Sequence, residues 1–229
     1  MKAMILAAGL GTRLKPFTDS HPKALYVAEG KTLLEHAITH LRSAGVEDII
    51  LNVHHFADQI IEFIHLHNNF GLKISVSDET GELLETGGGV KKAAWFFENC
   101  DGAIIRNVDI LSDLDIAGMA KHYMNSGALA TLAVRNRETS RYFLFNEQMH
   151  LCGWENKKTG EQRWSRKTEH CKAFAFSGIQ ILNPLIFPMI TEEGKFSLTD
   201  LYLRLAKTNT ITGYPETGHL WRDIGTTTV

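Results

Sequence analysis

Three short stretches of this 229-residue chain carry residue types suited to handling a polyphosphate. The first is Ala7-Ala8-Gly9-Leu10-Gly11-Thr12-Arg13, followed by Pro16, Thr18 and the pair Pro22-Lys23. Glycines let a backbone approach phosphate oxygens closely and turn its N–H groups toward them. Arg13 and Lys23 add the positive charge that a triphosphate demands. The spacing is neither that of a GxxxxGK[ST] loop nor that of a GxGxxG dinucleotide fingerprint. The second stretch is 84–89, Leu-Glu-Thr-Gly-Gly-Gly, just before an apolar run that begins at Val90. A helix opening there would present N–H groups to an anion; a flexible loop and helix start is the plainer alternative. The third is Arg106-Asn107-Val108-Asp109. A carboxylate at the carboxyl end of a strand can hold magnesium against phosphate oxygens, which makes Asp109 a candidate ligand. Asp113 and Asp115 read as surface or helix-capping residues.

These stretches need a scaffold, and the hydrophobic pattern supplies one. Residues 3–8 form a short apolar run bounded by glycine, a buried strand. Pro16 and Pro22 exclude a long helix in the loop that follows, to about residue 31. Apolar residues then recur at helical spacing through 32–44, with Thr32 as N-cap and Gly45 as stop. A strand over 48–53, a helix over 57–67, a strand over 73–77, a helix over 88–97 and a strand over 103–108 follow. Trp95, Phe96 and Phe97 are expected to pack on that third helix. Alternating strands and helices predict an α/β fold with a doubly wound, mostly parallel, Rossmann-like sheet. Ligands in such sheets bind beyond the carboxyl ends of the strands, where both the first loop and Asp109 fall.

The second half reads differently. Extended segments are expected at 129–134, 142–145, 150–154 and 173–182, with a polar, charged stretch at 155–170 between them. That pattern suggests an antiparallel hairpin region forming a lid over a substrate. Helices at 184–190 and 197–206 and strands at 211–214 and 219–224 complete the chain. One domain is expected over 1–229, with a nucleotide-binding half, 1–128, and a second half, 129–229.

At residues 5–14, Ile-Leu-Ala-Ala-Gly-Leu-Gly-Thr-Arg-Leu, with Pro16 and Pro22-Lys23-Ala24, the chain resembles the sugar 1-phosphate nucleotidylyltransferases. The resemblance implies transfer of a nucleoside monophosphate from a nucleoside triphosphate to a sugar 1-phosphate, with Mg²⁺ as cofactor. It implies that Gly9, Leu10, Gly11, Thr12 and Arg13 wrap the phosphates and that Lys23 stabilises their charge. Ala7 and Ala8 would meet the base, and Glu85, Thr86 and Gly87 the base and ribose, with Asn107 beside the nucleotide. The stretch Trp221-Arg222-Asp223-Ile224-Gly225-Thr226 is similar to the family's Trp-x-Asp-Ile/Val-Gly-Thr, whose Asp is the second magnesium ligand. Arg13, Lys23, Asp109 and Asp223 would thus be the catalytic set, and Asp109 and Asp223 the metal ligands. On the sugar side the resemblance implies Asn146, Glu155, Ser177 and Gly178; Glu155 also reads as a plain surface residue. Leu-Glu-Thr-Gly-Gly-Gly looks most like the N-acetylmuramate 1-phosphate uridylyltransferases and is shared in part by mannose 1-phosphate guanylyltransferase-like proteins. UTP with N-acetylmuramate 1-phosphate is the expected pair, with GTP and mannose 1-phosphate or other pairs open, and a non-catalytic nucleotide sensor as the alternative class. Val108 departs from the glycine usual before the first aspartate, and the chain stops at Val229 where family members often continue into a helix.

Composition excludes several other classes. A formal net charge of -2 gives no basic surface for nucleic acid. Cys100, Cys152 and Cys171 are odd in number and widely spaced, so neither a disulfide framework nor a zinc site is expected. His54-His55 has no zinc-site spacing and reads as structural or surface. The first apolar run is too short for a signal peptide, and no stretch reaches the roughly 20 apolar residues of a membrane span. A cytoplasmic monomer or homodimer is expected.

Overall fold

The computed structural model describes residues 1–168 and 170–225. The chain runs β1 (Lys2–Leu6), β2 (Val27–Ala28), β3 (Lys31–Thr32), α1 (Leu33–Ser43), β4 (Asp48–Val53), α2 (Ala57–Leu66), β5 (Lys73–Asp78) and α3 (Glu85–Lys92). Then come β6 (Ala103–Asn107), β7 (Ile110–Ser112), α4 (Ile116–Ser126), β8 (Ala130–Arg135), β9 (Arg141–Phe145) and β10 (Leu151–Asn156). The chain continues through β11 (Glu161–Trp164), β12 (Lys172–Leu182), α5 (Leu198–Leu205), β13 (Ile211–Pro215) and β14 (Trp221–Asp223).

The central sheet has the order β11-β10-β9-β12-β6-β1-β4-β5, with β8 and β13 attached through β12. In the first half β6, β1, β4 and β5 all pair in parallel, as the alternation of strands and helices requires. Period-2 alternation gives each strand two faces. Ala3 and Ile5 enter a core with α1, α2 and α4, whereas Met4 enters the opposite core with Val90 of α3 and Leu201 of α5. Helices therefore cover both faces, and the sheet is doubly wound. The second half is mostly antiparallel: β12 pairs with β6, β8 and β9, and β10 with β9 and β11, while β13 pairs with β8 in parallel.

β12 joins the halves. Residues 179–182 pair with β6, residues 172–174 pair with β9, and its pairing with β8 shifts register between Phe176 and Gln180. Gly178 sits in that shift at φ 83°, and a Cβ there would lie 2.6 Å from Ile110 Cγ1. Both the backbone angle and the close approach call for glycine.

Several elements differ from the sequence expectation. The third helix begins at Glu85, not 88, and ends at Lys92; 94–97 is a separate 3₁₀ turn. Gly87, Gly88 and Gly89 lie inside this helix, buried, because the segment 194–196, Asn52 and Glu79 press against it. A Cβ on Gly88 would lie 2.5 Å from the Gly194 carbonyl oxygen, and one on Gly89 2.7 Å from Glu79 Oε1. Phe96 and Phe97 are in the core, but Trp95 is exposed. β7 and α4 lie in a stretch with no anticipated element, although Asp115 does cap α4 by accepting from the Gly118 N–H at 2.9 Å.

Candidate active site

A cavity of about 550 Å³ opens beyond the carboxyl ends of β1, β4 and β6. Ala8, Gly9, Lys23, Glu85, Thr86, Asn107 and Asp109 line one side of it, and Arg141, Phe143, Phe176, Ser197, Thr199 and Tyr202 the other. The placement follows from the doubly wound sheet.

The glycine-rich loop is held by contacts that only glycine permits. Gly11 has φ 62°, and a Cβ on it would lie 2.8 Å from Thr18 Cγ2 and 2.9 Å from Lys23 Cβ. Thr18 Oγ1 donates to the Gly11 carbonyl at 3.0 Å. Gly9, Leu10, Thr12 and Arg13 remain exposed around the turn. At the base of the loop the Ala7 N–H donates to Asn52 Oδ1 at 2.7 Å, and Asn52 Nδ2 donates to the buried Glu79 at 2.8 Å. Sequence reading missed Asn52 and Glu79, because their partners come from three different strands and loops.

Lys23 is buried and its ammonium pairs with Asp109. Asp223 arrives from the other end of the chain. β14 pairs antiparallel with β7, setting Asp223 opposite Ile110, and the Ile224 N–H donates to the Asp109 carbonyl at 3.0 Å. The three charged groups meet at Gly225. A Cβ there would lie 2.9 Å from Asp109 Oδ2 and 2.9 Å from Asp223 Oδ1, and would collide with Lys23 Nζ. Thr226, the last residue of the motif, lies outside the described residues.

Close to Asp109 in the chain lies a buried cation, Arg106, whose hydrogen-bond partners among the described residues include no carboxylate. Arg106 donates to His40 Nδ1 at 2.7 Å and to the Ile110 carbonyl, while His40 Nε2 donates to the Leu114 carbonyl at 2.8 Å. Burial, then the Arg106 charge, push the His40 pKa down to about 4, so the ring is neutral and accepts from Arg106. Burial also lowers Arg106, to about 10, which leaves it protonated at neutral pH. The pair thus braces both ends of the loop that carries Asp109.

The remaining expected residues divide. Glu85 lines the cavity and faces Lys195 at 3.7 Å, and Thr86 Oγ1 accepts from the Leu198 N–H at 3.0 Å. Gly87 is packed under Phe196, whose carbonyl its N–H reaches at 2.9 Å, and so offers no open helix N-terminus. Of the residues expected to contact the sugar, Ser177 is fully buried and its carbonyl accepts from Trp221 Nε1 at 2.8 Å, and Gly178 packs on Ile110. Asn146 closes the β9–β10 turn, accepting from the His150 N–H at 2.8 Å. Glu155 lies opposite Tyr142, so it points to the sheet face away from Phe143 and the cavity, where Lys157 and Gln162 hold it. The structure therefore does not bring Asn146 or Glu155 to the cavity. Phe176 of β12, from the stretch that resembles the family's sugar-facing strand, does line it; Arg141 and Phe143 of β9, and Ser197, Thr199 and Tyr202 around α5, line it too and went unnoticed.

The chain belongs to the nucleotidyl transferase family, whose model matches residues 2–228. Relatives within that family include uridylyl- and guanylyltransferases of sugar phosphates, and the chain is a sugar-phosphate nucleotidyltransferase. It is 32% identical to an N-acetylmuramate alpha-1-phosphate uridylyltransferase of Caulobacter vibrioides, over 97% of this chain and 91% of that protein. It is 30% identical to a mannose-1-phosphate guanyltransferase of Yarrowia lipolytica, over 98% of this chain and 61% of that protein. HddC from Yersinia pseudotuberculosis, solved in complex with GMP-PN, has the same fold. The TM-score is 0.77 at 27% identity, covering 99% of this chain and 94% of that one. Among the described residues no helix is long and apolar enough to cross a membrane.

Proposed function

We propose that the protein transfers a uridylyl group from UTP to N-acetylmuramate 1-phosphate in the cytoplasm, releasing pyrophosphate. An acceptor phosphate oxygen attacks the α-phosphorus as the bond to the pyrophosphate oxygen breaks on the opposite side. The nucleophile is already an anion, so no side chain has to remove a proton. The chain's own contribution is placement and charge: the loop at 9–13 binds the phosphates, and Arg13 and Lys23 offset negative charge that builds up in the transition state.

The observation that carries the reading is the convergence of Lys23, Asp109 and Asp223 at Gly225. Two carboxylates, with no cluster of three or more potential ligands among the described residues, suit Mg²⁺, which takes few protein ligands and completes its shell with phosphate and water. Glycine at 225 keeps open the space between them that a Cβ would fill. When bound there, the ion supplies charge neutralisation on the phosphates. The choice of uridine and N-acetylmuramate rests on the Caulobacter relative, which aligns over nearly its whole length. A guanylyl reading with mannose 1-phosphate is favoured by the Yarrowia relative and by HddC with GMP-PN. Pyrophosphate release measured for four nucleotides against a panel of sugar phosphates separates them. Turnover with UTP and N-acetylmuramate 1-phosphate is expected; a preference for GTP with mannose 1-phosphate overturns the pair. Nucleotide binding without any pyrophosphate release overturns catalysis itself.

A further inference from the structure

One cation that lines the cavity has no counter-charge paired with it among the described residues. Arg141 opens β9, is exposed, and has no hydrogen-bond or ion-pair partner for its guanidinium among the described residues. The other lining cation, Lys23, is already paired with Asp109. Arg141 shares its sheet face with Phe143, two residues along, and its partner across β10 is Asn156, a neutral side chain. Phe143 and Phe176 stand with ring centroids 6.1 Å apart, an apolar wall that ends at Arg141. The lining also carries neutral hydroxyls, those of Ser197, Thr199 and the fully buried Tyr202, the last with no hydrogen-bond partner among the described residues, together with Leu198 and Glu85, whose carboxylate faces Lys195. Hydroxyls of that kind suit sugar hydroxyl and amide groups. A guanidinium does not add to that set; it matches a carboxylate, in a planar two-point contact.

The reacting end has its own cations. Lys23 lies beside Asp109, and Arg137 stacks on Trp221 at 4.3 Å within electrostatic reach of Asp223. Arg141 is therefore not needed for the phosphate that reacts. We infer that Arg141 determines acceptor specificity by binding a carboxylate on the sugar, so that the enzyme selects acidic sugar 1-phosphates over neutral ones. The inference rests on the reading given under Proposed function, since N-acetylmuramate differs from N-acetylglucosamine by a lactyl ether that bears such a carboxylate.

The test compares kcat/KM for N-acetylmuramate 1-phosphate and N-acetylglucosamine 1-phosphate, at saturating UTP and Mg²⁺, in the parent enzyme, Arg141→Gln and Arg141→Lys. A charge-assisted contact predicts that the ratio between the two acceptors falls roughly 10- to 100-fold in Arg141→Gln. The change is expected in the acceptor KM, with partial recovery in Arg141→Lys. An equal loss with both acceptors would place Arg141 on the 1-phosphate and overturn the inference. An unchanged ratio would make it a solvated surface residue and overturn it equally, while leaving the uridylyl reading intact. A parent enzyme that uses neither acceptor overturns the reading and the inference together.

Discussion

Gly225 matters because of what stands around it. Lys23, Asp109 and Asp223 converge on the space its missing side chain leaves. Asp109→Asn and Asp223→Asn are each expected to lower pyrophosphate release by roughly 10³-fold, with melting temperatures close to the parent's. Near-parental turnover by either variant at saturating Mg²⁺ would remove these carboxylates from the mechanism. Asp109 was legible in the sequence because it follows an apolar strand. Asp223 was legible only through a family motif, since its position depends on the β7–β14 ribbon, which closes over more than a hundred residues. Glu155 shows how a near miss arises. In a strand, one residue of offset exchanges the two faces, and register is set by partners that periodicity alone does not reveal. Arg141 went unread for a related reason: it looks like any strand-end arginine until β12 and α5 are folded against it.

Helix α1 shows an element that sequence alone specifies well. Thr32 Oγ1 accepts from the Glu35 N–H at 3.1 Å, and Glu35 accepts from the Thr32 N–H at 2.8 Å, a full capping box. Helix α3 shows the opposite. Its three glycines argue against helix on propensity, and tertiary packing against 194–196 overrides that preference. The same packing buries Gly87 to Gly89 and leaves only the first residues of the helix, Glu85 and Thr86, on the cavity. Between α1 and the loop after β6, the His40–Arg106 pair carries a pH-dependent term. His40 has a folded pKa of about 4 against 6.5 unfolded, so between those values the unfolded chain binds a proton that the native one refuses. Its contribution is constant above pH 6.5 and costs stability as pH falls toward 4, by up to about 3 kcal/mol. Urea unfolding at pH 7 and pH 4.5 should show a steeper loss in the parent than in His40→Asn. Equal slopes would mean that the ring is not held neutral in the native state.

At the scale of the whole molecule, alternating hydrophobic segments revealed the parallel half, and a polar interruption at 155–170 pointed to an antiparallel second half. What they did not reveal is that both halves are one sheet, carried across by β12 and its kink at Gly178. Strand pairing of that range is specified by complementary faces that meet only after collapse. One consequence concerns the ion pair between Lys23 and Asp109. Before substrate arrives, the ammonium acts as counter-ion to the carboxylate. A triphosphate offers Lys23 a new partner and thereby frees Asp109. Nucleotide and divalent ion should therefore bind with positive thermodynamic linkage, each raising the other's affinity by the same factor, about 5- to 150-fold. Titration calorimetry with and without a non-hydrolysable nucleotide measures that factor, and independent affinities would count against it. At the proposed Mg²⁺ site the ion would be held weakly at rest and firmly only when there is a phosphate chain to work on.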